Sequence, residues 1–405
     1  MVRRSVLDGG WIDLGGQWIG HTHTGILDIA KSLGIGHFDF YVQGRHTVNY
    51  GGAVATTEGD EPSAGALPTV SPADIAEADR VWELFHTLSE TIDVQRPWLS
   101  PDAEALDAQT VTSWLADVTS SEYARFSLNH WALNEQGADP GAASMLFMLA
   151  SYAGAPEDEE PEEWLFDGAA GQIPERLAAE LGDRIRLGQP VFQIQQDSDA
   201  VTVSTKSAEY RAGFVIVATP PHLAGAIDYT PPLPPHRIQL TQRAPMGSVV
   251  KYAAVYPSAW WRARGLSGSS MSDRTVLATA DSSAPGGTPG ILTAFVAGQD
   301  AVRLNQHDEN ERKRIVLADL VASFGDEAAN PADFVEMNWP DEKWTGGAYN
   351  AVLGPNTLVT FGSRMAEPVD RIYWAGTEMA SRWGGYFEGA VLAGHAAAKG
   401  VLQRP

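Results

Sequence analysis

The chain has 405 residues, 44% of them hydrophobic and 20% charged, the composition of a globular protein with room for two or three domains at about 150 residues each. Its 51 acidic and 28 basic residues give a formal net charge of −23. That argues against nucleic acid and anionic membrane surfaces as partners and favours attraction of a small cation. Cysteine is absent, which excludes disulfides, thiolate metal sites, a Cys nucleophile and any thioether-linked cofactor. The same absence fits a reducing, cytoplasmic setting. No run approaches about 18 apolar residues, so no membrane span is expected. The arginines after Met1 lead into no apolar core, so no secretory signal is expected either.

In chain order, Trp11 to Leu14 read as a short strand closed by Gly15-Gly16. Residues 24–33 follow as a helix, with Ile26, Leu27, Ala30 and Leu33 at helical spacing and Gly34 as its stop. Residues 38–50 read as a hairpin around Gln43-Gly44-Arg45. A Gly-, Pro- and acid-rich loop, 51–70, precedes Ser71-Pro72, which opens a long helix with Ser as N-cap and Pro at the first position. Ile75, Val81, Phe85, Leu88 and Ile92 mark its buried side, and a helical region continues to about 153. Its last element, 141–154, is apolar on nearly every face and should be buried. An acidic run from Glu157 to Glu163 then leads to Trp164.

A Gly-rich turn and helix, strands at 191–195 and 201–205, and the run FVIVATPP (214–221) come next. That run reads as a buried parallel strand. SVVKYAAVY (248–256) is a strand, 308–325 a helix with Ile315, Leu320, Val321 and Phe324 inward, and RIYWAG (371–376) a buried strand. Gly384-Gly385 and a helix rich in small residues, about 386–402, finish the chain. Strand, glycine turn and helix together present backbone N–H groups to a polar ligand, and open sheets bind ligands at such strand ends. Tight packing alone is the alternative at this point.

Lys251 shares one face of its strand with Val249, Ala253 and Val255. A buried ammonium is costly unless paired or deprotonated; a snorkelling side chain is the other reading. His21 and His23 lack a third metal ligand. GLSGS (265–269) lacks the last glycine of a nucleophile elbow, which leaves Ser267 as a turn residue.

Five segments, in order, resemble the flavin-containing monoamine and polyamine oxidase family: DLGGQWIG (13–20), FDGAAGQIP (166–174), PMGSVVKY (245–252), NWPDEKWTGGAY (338–349) and RIYWAGTEMASRWGGYFEGAV (371–391). The resemblance implies an α/β (α+β mixed) fold with two discontinuous domains. Residues 1–40, 165–247 and 340–405 would bind FAD; 41–164 and 248–339 would form the substrate domain, with helices on a mixed sheet. The family's opening strand, G-x-G-x-x-G turn and helix are not found, and residues 1–20 resemble the family's chain about 40 residues after its usual start. The Rossmann-like FAD domain is therefore expected to be N-terminally truncated and to hold FAD weakly or not at all. A catalytically inactive remnant is accordingly one alternative. A related flavin desaturase is another, which the paired tyrosines and Lys251 count against.

The resemblance also assigns roles. Lys251 would hold a water against N5 of the flavin, and Tyr349 and Tyr386 would form an aromatic cage for the amine, with Phe295 lining the pocket. Gly15, Gly16, Gln17, Trp18, Trp344, Gly376, Thr377, Glu378, Gly385, Tyr386 and Ala390 would line FAD, Glu378 at its polar chain, with Val191 at the adenine. Ala348 stands where the covalent branch carries a Cys, so FAD would be non-covalent, and no metal is expected. The implied reaction takes a primary or secondary amine to an imine and then an aldehyde, with O2 reduced to H2O2. Which amine is left open, as is a homodimer.

Overall fold

The computed structural model describes residues 2–59, 62, 63, 65, 67–155, 159 and 161–404. Parts of two segments read above, 60, 61, 64 and 66 of the loop and 157, 158 and 160 of the acidic run, lie outside the described residues. The largest sheet has seven strands in the order Asp333–Asn338, Val249–Tyr256, Gly290–Ala297, Ala278–Asp281, Leu266–Ser272, Arg45–Tyr50 and Ala53–Thr57. Its pairings are antiparallel except that between Leu266–Ser272 and Arg45–Tyr50. The mixed sheet expected for the helix-bearing half is therefore present.

Val249–Tyr256 and Gly290–Ala297 are buried at every position, because both faces of the sheet are covered. Successive side chains of a strand point to opposite faces. The even positions Val250, Tyr252, Ala254 and Tyr256 pack with Val316, Leu320 and Phe324 of the helix Glu309–Phe324. The odd positions turn the other way: Ala253 and Val255 cluster with Ile12, and Val249 with Trp339 and Ala348. Lys251 belongs to this odd set, so its side chain enters the seam between the sheet and the N-terminal segment.

The helices Pro72–Ser89, Val111–Val118, Glu122–Gln136 and Met145–Gly154 share one core, centred on Val81, Phe85, Leu115, Leu128 and Leu149. Ser71 and Asp74 form the reciprocal capping box of the first. Elsewhere, Val191–Gln196, Val201–Thr205 and Glu209–Ala212 make a meander joined in parallel by Asp228–Thr230. Trp18–Ile19, Trp164–Phe166 and His37–Asp39 form a three-stranded sheet. Thr24–Ser32 and Phe387–Leu402 pack together as helices, fixed by the buried Glu388 carboxylate, which accepts the N–H groups of Gly25 at 3.0 Å and Ile26 at 2.8 Å.

Three readings are corrected. The hairpin expected within 38–50 is displaced: His37–Asp39 pairs with Trp164–Phe166, and Arg45–Tyr50 turns back on Ala53–Thr57. The turn residues are Gly51 and Gly52, at φ +60° and +78°, which a two-residue type I′ turn requires. Val215–Val217 does pair in parallel with Ile372–Trp374, but Ile216 is 39% exposed and only one face joins a core. Ser267 lies in a strand and is fully buried, with its Oγ 2.9 Å from His46 Nδ1, which rules out a surface turn.

Candidate active site

Lys251 stands between Phe295 and Met337 on the neighbouring strands and is 4% exposed. Its partners come from the loop after Trp11–Asp13. The ammonium donates to the Gly15 carbonyl at 2.7 Å and to Gln17 Oε1 at 2.5 Å. The Trp18 and Phe295 rings flank it, with centroids 5.9 and 5.7 Å from Nζ. Burial pulls Lys251 from 10.5 down to about 8, while the carboxylates of Asp13 and Glu162 oppose the fall. The group is thus mainly protonated at neutral pH. Asp13 is pushed above its ordinary range by burial, against the charge of Lys251. It accepts the N–H groups of Ala170 at 2.8 Å and Gly171 at 2.9 Å, just ahead of the helix Gln172–Leu181. The seam therefore sets the Lys251 ammonium in the field of an acid anchored on a helix start.

Tyr349 packs edge-on against Phe295 with centroids 6.4 Å apart. Burial raises its phenol, with the Glu162 and Glu135 carboxylates adding to the rise, so it stays protonated. Its loop is threaded past Gly247, whose carbonyl accepts the Ala348 N–H at 2.9 Å. A Cβ on Gly247 would stand 2.3 Å from the Ala348 carbonyl oxygen. Asn350 lies against Gly385, 3.7 Å from the place of its missing Cβ, so the two glycine turns that carry Tyr349 and Tyr386 meet.

Tyr386 is the N-cap of the last helix, and its ring centroid lies 5.5 Å from His23 and 5.9 Å from Trp383. Thr377 Oγ1 ties this turn to the strand end, accepting the Gly385 N–H at 2.7 Å and donating to the Tyr386 carbonyl at 3.2 Å. Glu378 accepts the Ala351 N–H at 3.2 Å, and burial holds its carboxyl above the ordinary range. The structure thus brings Gly15, Gln17, Trp18, Lys251, Phe295 and Tyr349 into one group. Gly376, Thr377, Glu378, Gly385 and Tyr386 form a second, joined to it through Asn350. Gly16 links them as well, since its Cβ would meet the Phe387 ring at 3.0 Å.

Trp18 Nε1, His23 Nε2 and Asn350 Oδ1 are buried polar atoms without a partner. Buried polar groups are normally paired, so these lie ready for a polar-edged ligand. With the buried Glu378 carboxylate and flanking aromatic faces, the donors, acceptors and apolar walls fit a flavin. Three assigned positions are exposed rather than packed into these groups. Val191 is 37% exposed in the meander, Trp344 is 54% exposed beside the Lys343 ammonium, and Ala390 is exposed on the last helix. His21 and His23 do not act together. His21 pairs with Glu163, whereas His23 is fully buried, accepts the Gly20 N–H through Nδ1, and is pulled to about 4 by burial. Among the described residues no group of three His, Asp or Glu could hold a metal.

Sequence reasoning missed Asp13, Asn350 and two hydroxyls, Ser282 and Thr293, that continue the hydrogen-bond chain from Gln17. Asp13 had a local signal, an acid at a strand end before two glycines. The others had none: Ser282 meets Gln17 and Asn350 meets Gly385 across long stretches of chain, and Thr293 reaches Ser282 only through the pairing of two strands.

A family model described as flavin containing amine oxidoreductase matches residues 2–402. An L-amino acid dehydrogenase of Synechocystis is 40% identical over 97% of this chain and 85% of its own length. Cyclohexylamine oxidase from Brevibacterium oxydans superposes with a TM-score of 0.91 at 33% identity, covering 98% of this chain and 90% of that one. Putrescine oxidase bound to putrescine gives 0.91 at 28% identity over 100% and 90%. Among the described residues no helix is long and apolar enough to cross a membrane.

Proposed function

This chain belongs to the flavin-containing amine oxidoreductase family, and on that premise we propose that it oxidises a primary or secondary amine to an imine, which water converts to an aldehyde, with O2 reduced to H2O2. The observation that carries the reading is the buried Lys251 ammonium flanked by Trp18 and Phe295, with Tyr349 packed edge-on against Phe295. When bound, FAD supplies the two-electron redox chemistry that the side chains cannot.

The chain's residues do the rest. Tyr349 and Tyr386 offer ring faces to an amine and set its approach. Lys251 contributes a preorganised positive charge, which favours the build-up of negative charge on reduced oxygen. The cofactor is non-covalent, because Ala348 and a chain without Cys leave no thiol to attach it. The Glu135 and Glu162 carboxylates act on Tyr349, so the pocket favours a cationic substrate and disfavours an α-carboxylate.

The relative named L-amino acid dehydrogenase supports a second reading, in which an amino acid is oxidised and an acceptor other than O2 takes the electrons. One assay separates the two. Monoamines, diamines and L-amino acids are offered to the FAD-loaded protein, with peroxide detected in one series and reduction of an added dye in the other. Peroxide from amines alone supports the first reading; dye reduction by amino acids alone replaces it with the second.

A further inference from the structure

We infer that Gln17 is a positioning residue, whose side-chain amide, clamped by Ser282 and Thr293, fixes the direction of the Lys251 ammonium. A lysine ammonium only donates hydrogen bonds, so the amide oxygen must face Nζ and the amide nitrogen must face away. The nitrogen finds Ser282 Oγ at 2.8 Å, and Ser282 Oγ lies 2.6 Å from Thr293 Oγ1. The order Lys251, Gln17, Ser282, Thr293 thus defines each amide atom without ambiguity. Gln17 is 3% exposed and Thr293 2%, so water competes little for these bonds.

Thr293 is on the strand that carries Phe295, and Ser282 directly follows Ala278–Asp281. Gln17 therefore bolts the N-terminal segment to the sheet at the point where Lys251 leaves it. Gln17 and Ser282 also border a cleft of about 200 Å³ shared with Asp13 and Trp11. The charged groups acting on Lys251 from the packed elements are Asp13 and Glu162; the neutral amide adds direction where those carboxylates add field. A clamp of this kind is what places a buried charge reproducibly.

The catalytic meaning of the clamp rests on the role proposed for Lys251, but its action on Lys251 can be read without turnover. The chain has six lysines. With 13C at lysine Cε, the NMR signal lost in Lys251→Met identifies that residue, and its chemical shift is followed against pH. Gln17→Leu removes an acceptor and should move the Lys251 midpoint to lower pH by about one unit, whereas Gln17→Glu adds a charge and should move it higher. Ser282→Ala, which leaves the amide free to turn, should give a smaller acidic move and serves if a Gln17 variant does not fold. The pH profile of reoxidation by O2 should follow each midpoint. Midpoints in the folded variants that coincide with wild type overturn the proposal, leaving Gln17 as packing alone. Lys251→Met reoxidised at the wild-type rate would instead remove the catalytic role of Lys251 and leave the clamp standing.

Discussion

A positive charge on Lys251 costs the fold free energy, and pH exposes the cost. Its pKa is near 8 in the native protein and 10.5 without the fold. Below the lower value the group is protonated in both states, and the native state bears the full desolvation penalty. Between the two values the unfolded chain binds more protons, so stability contributed at this site rises with pH and levels off above the upper value. Replacing Lys251 by Met deletes that dependence. The unfolding free energy of wild type minus that of the variant should therefore increase from pH 7 to pH 10 by more than about 1 kcal/mol, since each pKa unit is worth about 1.4 kcal/mol. Paired denaturant curves at the two pH values measure it. A constant difference would mean that Lys251 is not buried as a cation.

The last helix, Phe387–Leu402, shows how much an element owes to individual small residues. A Cβ on Gly389 would stand 2.1 Å from the Trp383 carbonyl oxygen and 2.8 Å from Thr377 Oγ1, so the helix start is pressed against the turn that carries Tyr386. Gly394 has open space at that place. Gly394→Ala should stabilise the protein by roughly 0.5–1 kcal/mol through helix propensity. Gly389→Ala should cost about 1–3 kcal/mol or more by overpacking and should loosen flavin binding, as the displaced turn moves Thr377 and Tyr386. Thermal melts with and without FAD check both changes; equal effects at the two glycines would contradict this account.

The small residues of this helix allow close packing without saying where, because composition cannot tell a glycine pressed by a neighbour from one in open space. Local features were readable throughout. The Ser71 capping box lies within four residues, and the odd–even division of Val249–Tyr256 is a property of any strand. Long-range choices were not. Gln43-Gly44-Arg45 carries turn residues and Gly44 takes a φ of +100°, yet a long-range contact also requires it: a Cβ there would lie 2.8 Å from the Gly265 carbonyl oxygen. The hydrogen bonds of Gln17 to Lys251 and Ser282 leave no local trace either, since both partners lie more than half the chain away.

At the scale of the whole molecule, 51 acidic residues against 28 basic ones surround a site whose aromatic wall feels Glu135 and Glu162. An ammonium approaching from solution is drawn in by the general field and then by these two carboxylates. Salt acts on both parts, since the screening length shrinks from about 30 Å at 0.01 M to about 8 Å at 0.15 M. The kcat/KM for a monoamine should therefore fall several-fold across that range. A diamine carries twice the charge through the same field, so its fall should be steeper. A zwitterionic amino acid has no net charge and should show little slope. Steady-state kinetics at fixed pH and increasing NaCl give all three slopes with one preparation. Equal, flat slopes would mean that the acidity serves solubility alone, whereas a slope that scales with substrate charge ties it to capture of a cationic amine.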